Sequence, residues 1–291
     1  MHSDLSVFIN PLTDFGFKYL FGKDADKEFI LSFLNSLING REKIESVEFL
    51  DKERKGNSKS SRAQIYDLYC RTSDGRHIIV EMQNRFQAHF DDRALYYLSC
   101  DIAVQGEKGN DWQYELTPVY GVFLMNFEWR DVAEQHLRED VCLYNMQTKK
   151  VFSEKLGMTF LKIPMMNKDA DDCQTTLDRW LYLLKNMETM ETMPRQFTQD
   201  PVFSRLEEVA KVGALDDRAR RLYRESLKVY RDNYAIAQTE RSIGIEEGIA
   251  IGQEGERRKF IPILRRHGLS DAEISKELGV SMAYLKSIPK E

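Results

Sequence analysis

The sequence predicts an α/β (α+β) protein whose first half mixes helices with strands and whose C-terminal half is mostly helical. Three observations carry this. Phe29, Ile30, Phe33, Leu34 and Leu37 recur at helical spacing near the start. Segments between Ile44 and Gln83 place branched or aromatic residues at alternating positions, as strands do. From Gln174 onward, Leu177, Leu181, Leu184, Leu222 and Leu227 return to helical spacing.

In order, Asn10-Pro11-Leu12-Thr13-Asp14 offers a helix start, and Gly22 stops the short apolar run from Phe15 to Phe21. The next helix takes Asp24 as its cap and ends near Asn39-Gly40. Strands follow over Ile44 to Leu50, Ile65 to Arg71 and Arg76 to Gln83, forming a meander. The stretch 51–62 between the first two is rich in Ser, Gly, Asn and basic residues and reads as a loop. A helix is expected from about Asp91 to Gln105, then an almost wholly apolar strand, Pro118 to Asn126, buried on both faces. Two weaker strands fall near Val141 to Tyr144 and Thr159 to Ile163, and helices run from Gln174 to roughly Arg258.

Within that helical half, Gly244, Gly248 and Gly252 lie four apart on one helical face. Each interior glycine costs a helix about 1 kcal/mol relative to alanine, so the segment is either a marginal surface helix or a small-residue face for a homo-oligomer. The tail carries a capping box at Ser270 and Glu273, a Gly279 turn and a second start at Ser281. It reads as a small helix-turn-helix or a plain helical hairpin; Lys286 is the only basic residue of its second helix, few for a helix that reads a DNA groove. The expected spans are a mixed core over 1–165, a helical extension over 166–240, and a Gly/Glu-rich repeat with this tail over 241–291.

With 291 residues, 42% of them apolar and 31% charged, the chain can bury a sizeable core and carry an appended module. No leader-like start and no apolar stretch of bilayer length is present, which predicts a cytoplasmic protein without a membrane partner. Cys70, Cys100, Cys142 and Cys173 form no CxxC pair, so neither a zinc site nor a disulfide framework is indicated. A net charge of −5 argues against indiscriminate nucleic-acid binding but leaves room for a local basic surface.

The chemistry turns on how the second and third strands pair across Ser73-Asp74-Gly75. A two-residue Asp-Gly turn would set Asp67 opposite Met82 and apolar Leu68 opposite Glu81, which scatters the hydrophobic pattern. A three-residue loop, with Gly75 in the left-handed position, sets Asp67 opposite Glu81. Tyr66, Leu68 and Cys70 then share an apolar face with Met82, Val80 and Ile78, and the other face gathers Asp67, Glu81 and Gln83. Carboxylates about 5 Å apart at the β-carbon repel unless protonated or bridged by a cation. A hard ion such as Mg²⁺ (or Mn²⁺) is the natural bridge, because it takes one or two carboxylates and completes its shell with water and phosphate. That chemistry points to phosphodiester hydrolysis, with Gln83 orienting water or the transition state rather than acting as a base. Against it stands the plain alternative of acidic residues on a solvated strand face, with Glu81 paired to a neighbouring Arg or Lys.

Three stretches carry a resemblance: Pro-Leu-Thr-Asp-Phe-Gly-Phe-Lys-Tyr-Leu-Phe-Gly from Pro11, Ile-Tyr-Asp-Leu-Tyr-Cys with Gly-Arg-His-Ile-Ile-Val-Glu-Met-Gln ending at Gln83, and Arg-Ala-Leu-Tyr-Tyr-Leu-Ser from Arg93. From about residue 10 to 240 the chain resembles the recombination-promoting nuclease (Rpn) group, also described as PD-(D/E)XK nuclease family transposases. The resemblance implies a restriction-endonuclease-like α-β-β-β-α-β core and a Mg²⁺-dependent DNA endonuclease linked to recombination or mobile elements. Asp67 and Glu81 would hold the metal, and Gln83 would stand in place of the motif's lysine, removing a charge beside the scissile phosphate. Asp14, Lys18, Arg93 and Tyr97 also fall in the matching stretches. Lys18 or Arg93 is a candidate phosphate contact, Asp14 an accessory acid or a helix cap, Tyr97 an accessory or a core aromatic, and Glu28 a further ligand or a solvated helix residue. Lys52, Arg54, Lys55, Lys59 and Arg62 in the basic loop are candidate DNA contacts, because that loop lies at the carboxylate end of the meander. The rival reading is a catalytically weak or inactive nuclease-fold protein kept for DNA binding or assembly.

Overall fold

The computed structural model describes residues 6–37, 43–50, 53–54, 64–106, 113–127 and 136–289. Two compact units divide the chain, Met1–Asp232 and Asn233–Glu291.

The first unit opens with helix α1 (Asp14–Phe21) and helix α2 (Lys27–Leu37). Thr13 caps α1, its Oγ1 accepting the Gly16 N–H at 2.9 Å. At α2 the expected cap Asp24 is replaced by Asp26, whose carboxylate accepts the Glu28 N–H at 3.1 Å. The helix begins at Lys27, and that places Asp26 next to its unpaired N–H groups.

Strand β1 (Val47–Phe49) is followed by β2 (Glu53–Arg54) and β3 (Gln64–Ile65), which pair with each other and close the basic loop. Next come β4 (Leu68–Thr72), β5 (His77–Gln83), helix α3 (Phe90–Ala103) and β6 (Val119–Met125). Two further strands, β7 (Arg138–Asn145) and β8 (Lys150–Lys162), complete a six-stranded sheet in the order β1-β4-β5-β6-β8-β7. β4 runs antiparallel to both β1 and β5, β6 runs parallel to β5 and to β8, and β7 is antiparallel to β8. The α2-β1-β4-β5-α3-β6 succession is the α-β-β-β-α-β core that the sequence implied, and the chain beyond it is mostly helical.

The β4–β5 register follows the three-residue loop. Leu68 faces Val80 and Cys70 faces Ile78, with Gly75 at φ +85 and the Thr72 N–H bonded to the Arg76 carbonyl at 2.9 Å. An L side chain at that φ is strained, so Gly75→Ala is expected to lower stability by about 1 kcal/mol. Urea denaturation reads this, and an unchanged midpoint would show that the turn relaxes without the glycine.

Both faces of the sheet are covered at its centre. On one, Leu68, Cys70, Val80, Met82, Val122, Leu124 and Leu161 pack with α1, α2 and the later helices; on the other, Tyr69, Ile79, Phe123, Met125 and Phe160 meet Phe90, Ala94 and Leu98 of α3. Buried polar groups fix the far end of α3: the Tyr69 hydroxyl donates to Asp101 at 2.6 Å, and His77 Nδ1 lies 2.8 Å from the same carboxylate.

Tyr66 departs from expectation, packing with Tyr69 on the α3 face rather than with Leu68. The chain leaves the extended form at Tyr66–Asp67, between β3 and β4, so the alternation slips there. The two weak strands are also longer than expected. They form a continuous hairpin whose outer half is exposed, where no burial imposes an in-out alternation.

Helices α4 (Thr176–Asn186), α5 (Arg195–Thr198), α6 (Pro201–Val209) and α7 (Asp217–Arg266) follow. α7 gives Tyr223 and Leu227 to the first unit's core and Ile261 to the second's. It passes Pro262 and ends beyond the expected Arg258, because Ile261 and Leu264 pack against α8 (Asp271–Leu278) and α9 (Met282–Ser287). The Ser270–Glu273 capping box is formed, and Arg265 ties the hairpin together through Asp271 and the Leu285 and Ile288 carbonyls. No helix among the described residues is long and apolar enough to cross a membrane.

Candidate active site

Asp67 precedes β4 and Glu81 lies near the end of antiparallel β5, so the two strands bring them side by side. Each carboxylate is held by the other strand's backbone. Asp67 Oδ2 accepts the Met82 N–H at 2.9 Å, and Glu81 Oε1 accepts the Asp67 N–H at 3.2 Å. The amide of Gln83 donates to Glu81. The three residues that the register argument grouped therefore stand together.

Asp67 and Gln83 are half-exposed on this face, but Glu81 is not on the solvated surface that the plain alternative expected. Glu81 is only 4% exposed, because Phe123 is its partner on β6 and Phe160 lies one strand further, both under Phe90 of α3. Burial pushes the Glu81 carboxyl up to about 8, and the Asp67 charge adds to the effect. The hydrogen bonds from Asp67 and Gln83 and the charge of Arg93 oppose the rise without cancelling it.

Arg93 reaches over from α3. One guanidinium nitrogen is 3.9 Å from Glu81 Oε2, and another donates to Gln87 Oε1 at 2.5 Å. The guanidinium plane lies over Phe90 and Tyr97, 5.2 and 5.6 Å from the ring centroids, and Tyr97 meets Tyr66 edge-on. So Tyr97 packs as a core aromatic that also forms a floor beneath Arg93.

The other candidates sit elsewhere. Asp14 and Lys18 pair with each other at 2.5 Å and line a groove with Tyr19, Arg205 and Leu222. Thr13 is the cap of that helix, so capping does not account for Asp14. Glu28 is exposed and lines a separate groove with Asn35, Lys43 and Thr176. Lys52, Lys55, Lys59 and Arg62 lie outside the described residues, as does the side chain of Arg54.

Two asparagines next to the site become visible only in the fold. Asn84 donates to the Leu12 carbonyl at 2.7 Å, and Asn126 donates to Asn84 Oδ1 and to the Tyr230 hydroxyl, each at 3.1 Å. This amide chain lays the segment before α1 over the carboxyl ends of parallel β5 and β6, where ligands of open α/β sheets gather. Its signal was a polar amide directly after each of two apolar strands, Gln83-Asn84 and Met125-Asn126.

Among the described residues no group of three or more His, Cys, Asp or Glu side chains forms a metal cage. The donor set is a carboxylate pair, one member buried and drawn to its neutral form beside a second acid. Hard oxygen donors in that number suit Mg²⁺, which keeps several waters and takes few protein ligands, and bridging by a cation would relieve the repulsion.

A nuclease-fold core with paired acids at the strand ends defines the class. The model for the PD-(D/E)XK nuclease family transposases matches residues 11–240, and the chain belongs to that family. No curated protein and no solved structure matches it.

Proposed function

We propose that the chain is a Mg²⁺- or Mn²⁺-dependent DNA endonuclease in which Asp67 and Glu81 hold the metal. One observation carries the reading: Glu81, buried on the covered face, accepts the Asp67 N–H while the Asp67 carboxylate accepts the N–H of Met82, so the two acids are held side by side. Membership in a nuclease family supports it. A bound divalent ion would supply Lewis-acid stabilisation of the phosphate and a more acidic water. Gln83 holds Glu81 in position and, lacking a titratable proton, does not act as the base. Arg93, braced by Gln87 and the two rings, offers a cation for a non-bridging phosphate oxygen. The basic residues Lys52, Arg54, Lys55, Lys59 and Arg62 are proposed backbone contacts, and recombination or mobile-element biology is the proposed setting. Gly244, Gly248 and Gly252 on α7 offer a self-association face, since added β-carbons there would meet nothing within 4 Å.

Plasmid nicking in Mg²⁺ tests the assignment. Asp67→Ala and Glu81→Ala are each expected to fall at least about 100-fold below wild type. Equal nicking by all three would expose a contaminating nuclease and sink the assignment. No nicking by any of them, with DNA binding retained, would favour the inactive DNA-binding reading.

A further inference from the structure

The first turns of helix α7 meet the candidate active site through side chains that the proposed chemistry leaves unused. Tyr223, Ser226 and Tyr230 recur at three-and-four spacing, which puts them on one face of the helix. The Tyr223 hydroxyl accepts the Asn10 N–H at 2.9 Å, and Ser226 Oγ accepts the Phe15 N–H at 3.0 Å. The Tyr230 hydroxyl accepts from Asn126 Nδ2 at 3.1 Å. Asn126 follows the last residue of β6, as Asn84 follows Gln83 at the end of β5. Its backbone N–H donates to the Gln83 carbonyl at 2.7 Å, one bond past the paired residues of the two strands.

The direction of this chain of amides is fixed from one end. The Leu12 carbonyl can only accept, so Asn84 presents Nδ2 to it and turns Oδ1 toward Asn126. Asn126 must then present Nδ2, which donates both to Asn84 and to Tyr230. Each amide is thus held in a single orientation, by backbone on one side and by α7 on the other. Strand ends fray where the ladder stops, and Gln83 is the last residue of β5. Because the Gln83 amide donates to Glu81, whatever pins this strand end also sets the carboxylate.

We propose that Asn84, Asn126 and Tyr230 are positioning residues for the carboxylate site. They tie the carboxyl end of β5 to α7 and, through Gln83, keep Glu81 in register with Asp67; they act on the site and not on the substrate. The inference takes its reaction from the proposed nuclease reading. A displacement of about 1 Å transmitted to a reacting group can cost up to about 100-fold in rate, so a hydroxyl on a distant helix can matter to the chemistry.

Two substitutions in the full chain test this. Tyr230→Phe removes one hydroxyl from a half-buried helix face, and Asn126→Ala removes the middle link. Plasmid nicking in Mg²⁺ should lose about 10-fold in its saturating rate in each variant, with the half-saturating DNA concentration within about twofold of wild type. The double variant should be no slower than Asn126→Ala alone, because both changes cut the same chain. In the metal-free protein, amide hydrogen exchange should quicken about 10-fold at position 126 and stay as in wild type at Ile79 and Val80 in the middle of β5. Wild-type nicking rates in both variants would overturn the inference. So would losses that multiply in the double variant, or exchange that quickens at all three positions, since either means a general loss of stability. A wild type that does not nick would sink the nuclease reading instead. The exchange would then decide the inference by itself: quickening confined to position 126 supports it, and no quickening there overturns it.

Discussion

Glu81→Gln is expected to make the metal-free protein more stable than wild type above pH 8 and to abolish its stabilisation by Mg²⁺. The sign follows from proton binding. Glu81 titrates near 4.5 in the unfolded chain and about 8 in the folded one. Between those values the folded state holds a proton that the unfolded state has released, so unfolding free energy falls as pH rises through that window. Below 4.5 both states are protonated and the penalty vanishes. Gln keeps the acceptor for the Asp67 N–H and never ionises, so its curve stays flat where wild type declines. The gap above pH 8 should reach roughly 3 to 5 kcal/mol relative to acid conditions. Adding Mg²⁺ should stabilise wild type by mass action at that pH and leave Glu81→Gln unmoved. Thermal melts of both proteins across the window, with and without the ion, read both effects; parallel curves would show that Glu81 ionises freely in the fold.

What the sequence could and could not reveal follows the same physics. The turn at Gly75 and the pairing of Asp67 with Glu81 were legible because strand alternation and loop length constrain each other over a few residues. Burial of Glu81 was not. It depends on Phe123 and Phe160, which arrive from strands far along the chain, and on Phe90, Ala94 and Leu98 turning one face of α3 onto them. Arg93 could be recognised as a candidate, but its bracing by Gln87, Phe90 and Tyr97 is a matter of packing. The reach of β7 and β8 was hidden for the opposite reason. Among the described residues nothing covers their outer half, so no periodic pattern marks it. Tyr66 defies its strand pattern because a break in an extended segment inverts which side chain faces which layer.

Trp180→Ala should be the most damaging single change outside the candidate site. Trp180 is 1% exposed and sits where α1 and α2 meet the later helices. Its ring centroid lies 5.3 Å from Phe21, 6.4 Å from Phe29, 6.3 Å from Phe33 and 4.9 Å from Phe203, and its indole N–H donates to Ser32 Oγ at 3.0 Å. Truncation leaves a large cavity and an unanswered hydroxyl, and is expected to cost about 3 to 5 kcal/mol. The loss should reach the sheet. One continuous core runs from Phe8 through Leu68, Cys70 and Val80 to Tyr223 and Leu227, so the helices beyond β8 are packed into the same core as the strands that carry Asp67 and Glu81. Urea denaturation followed by near-ultraviolet and far-ultraviolet circular dichroism should show both signals shifting together to lower denaturant. A loss below about 1 kcal/mol would mean that the cavity collapses cheaply. Signals that separate, with the sheet left in place, would mean that the helical half unfolds by itself, and the carboxylate pair would then owe nothing to it.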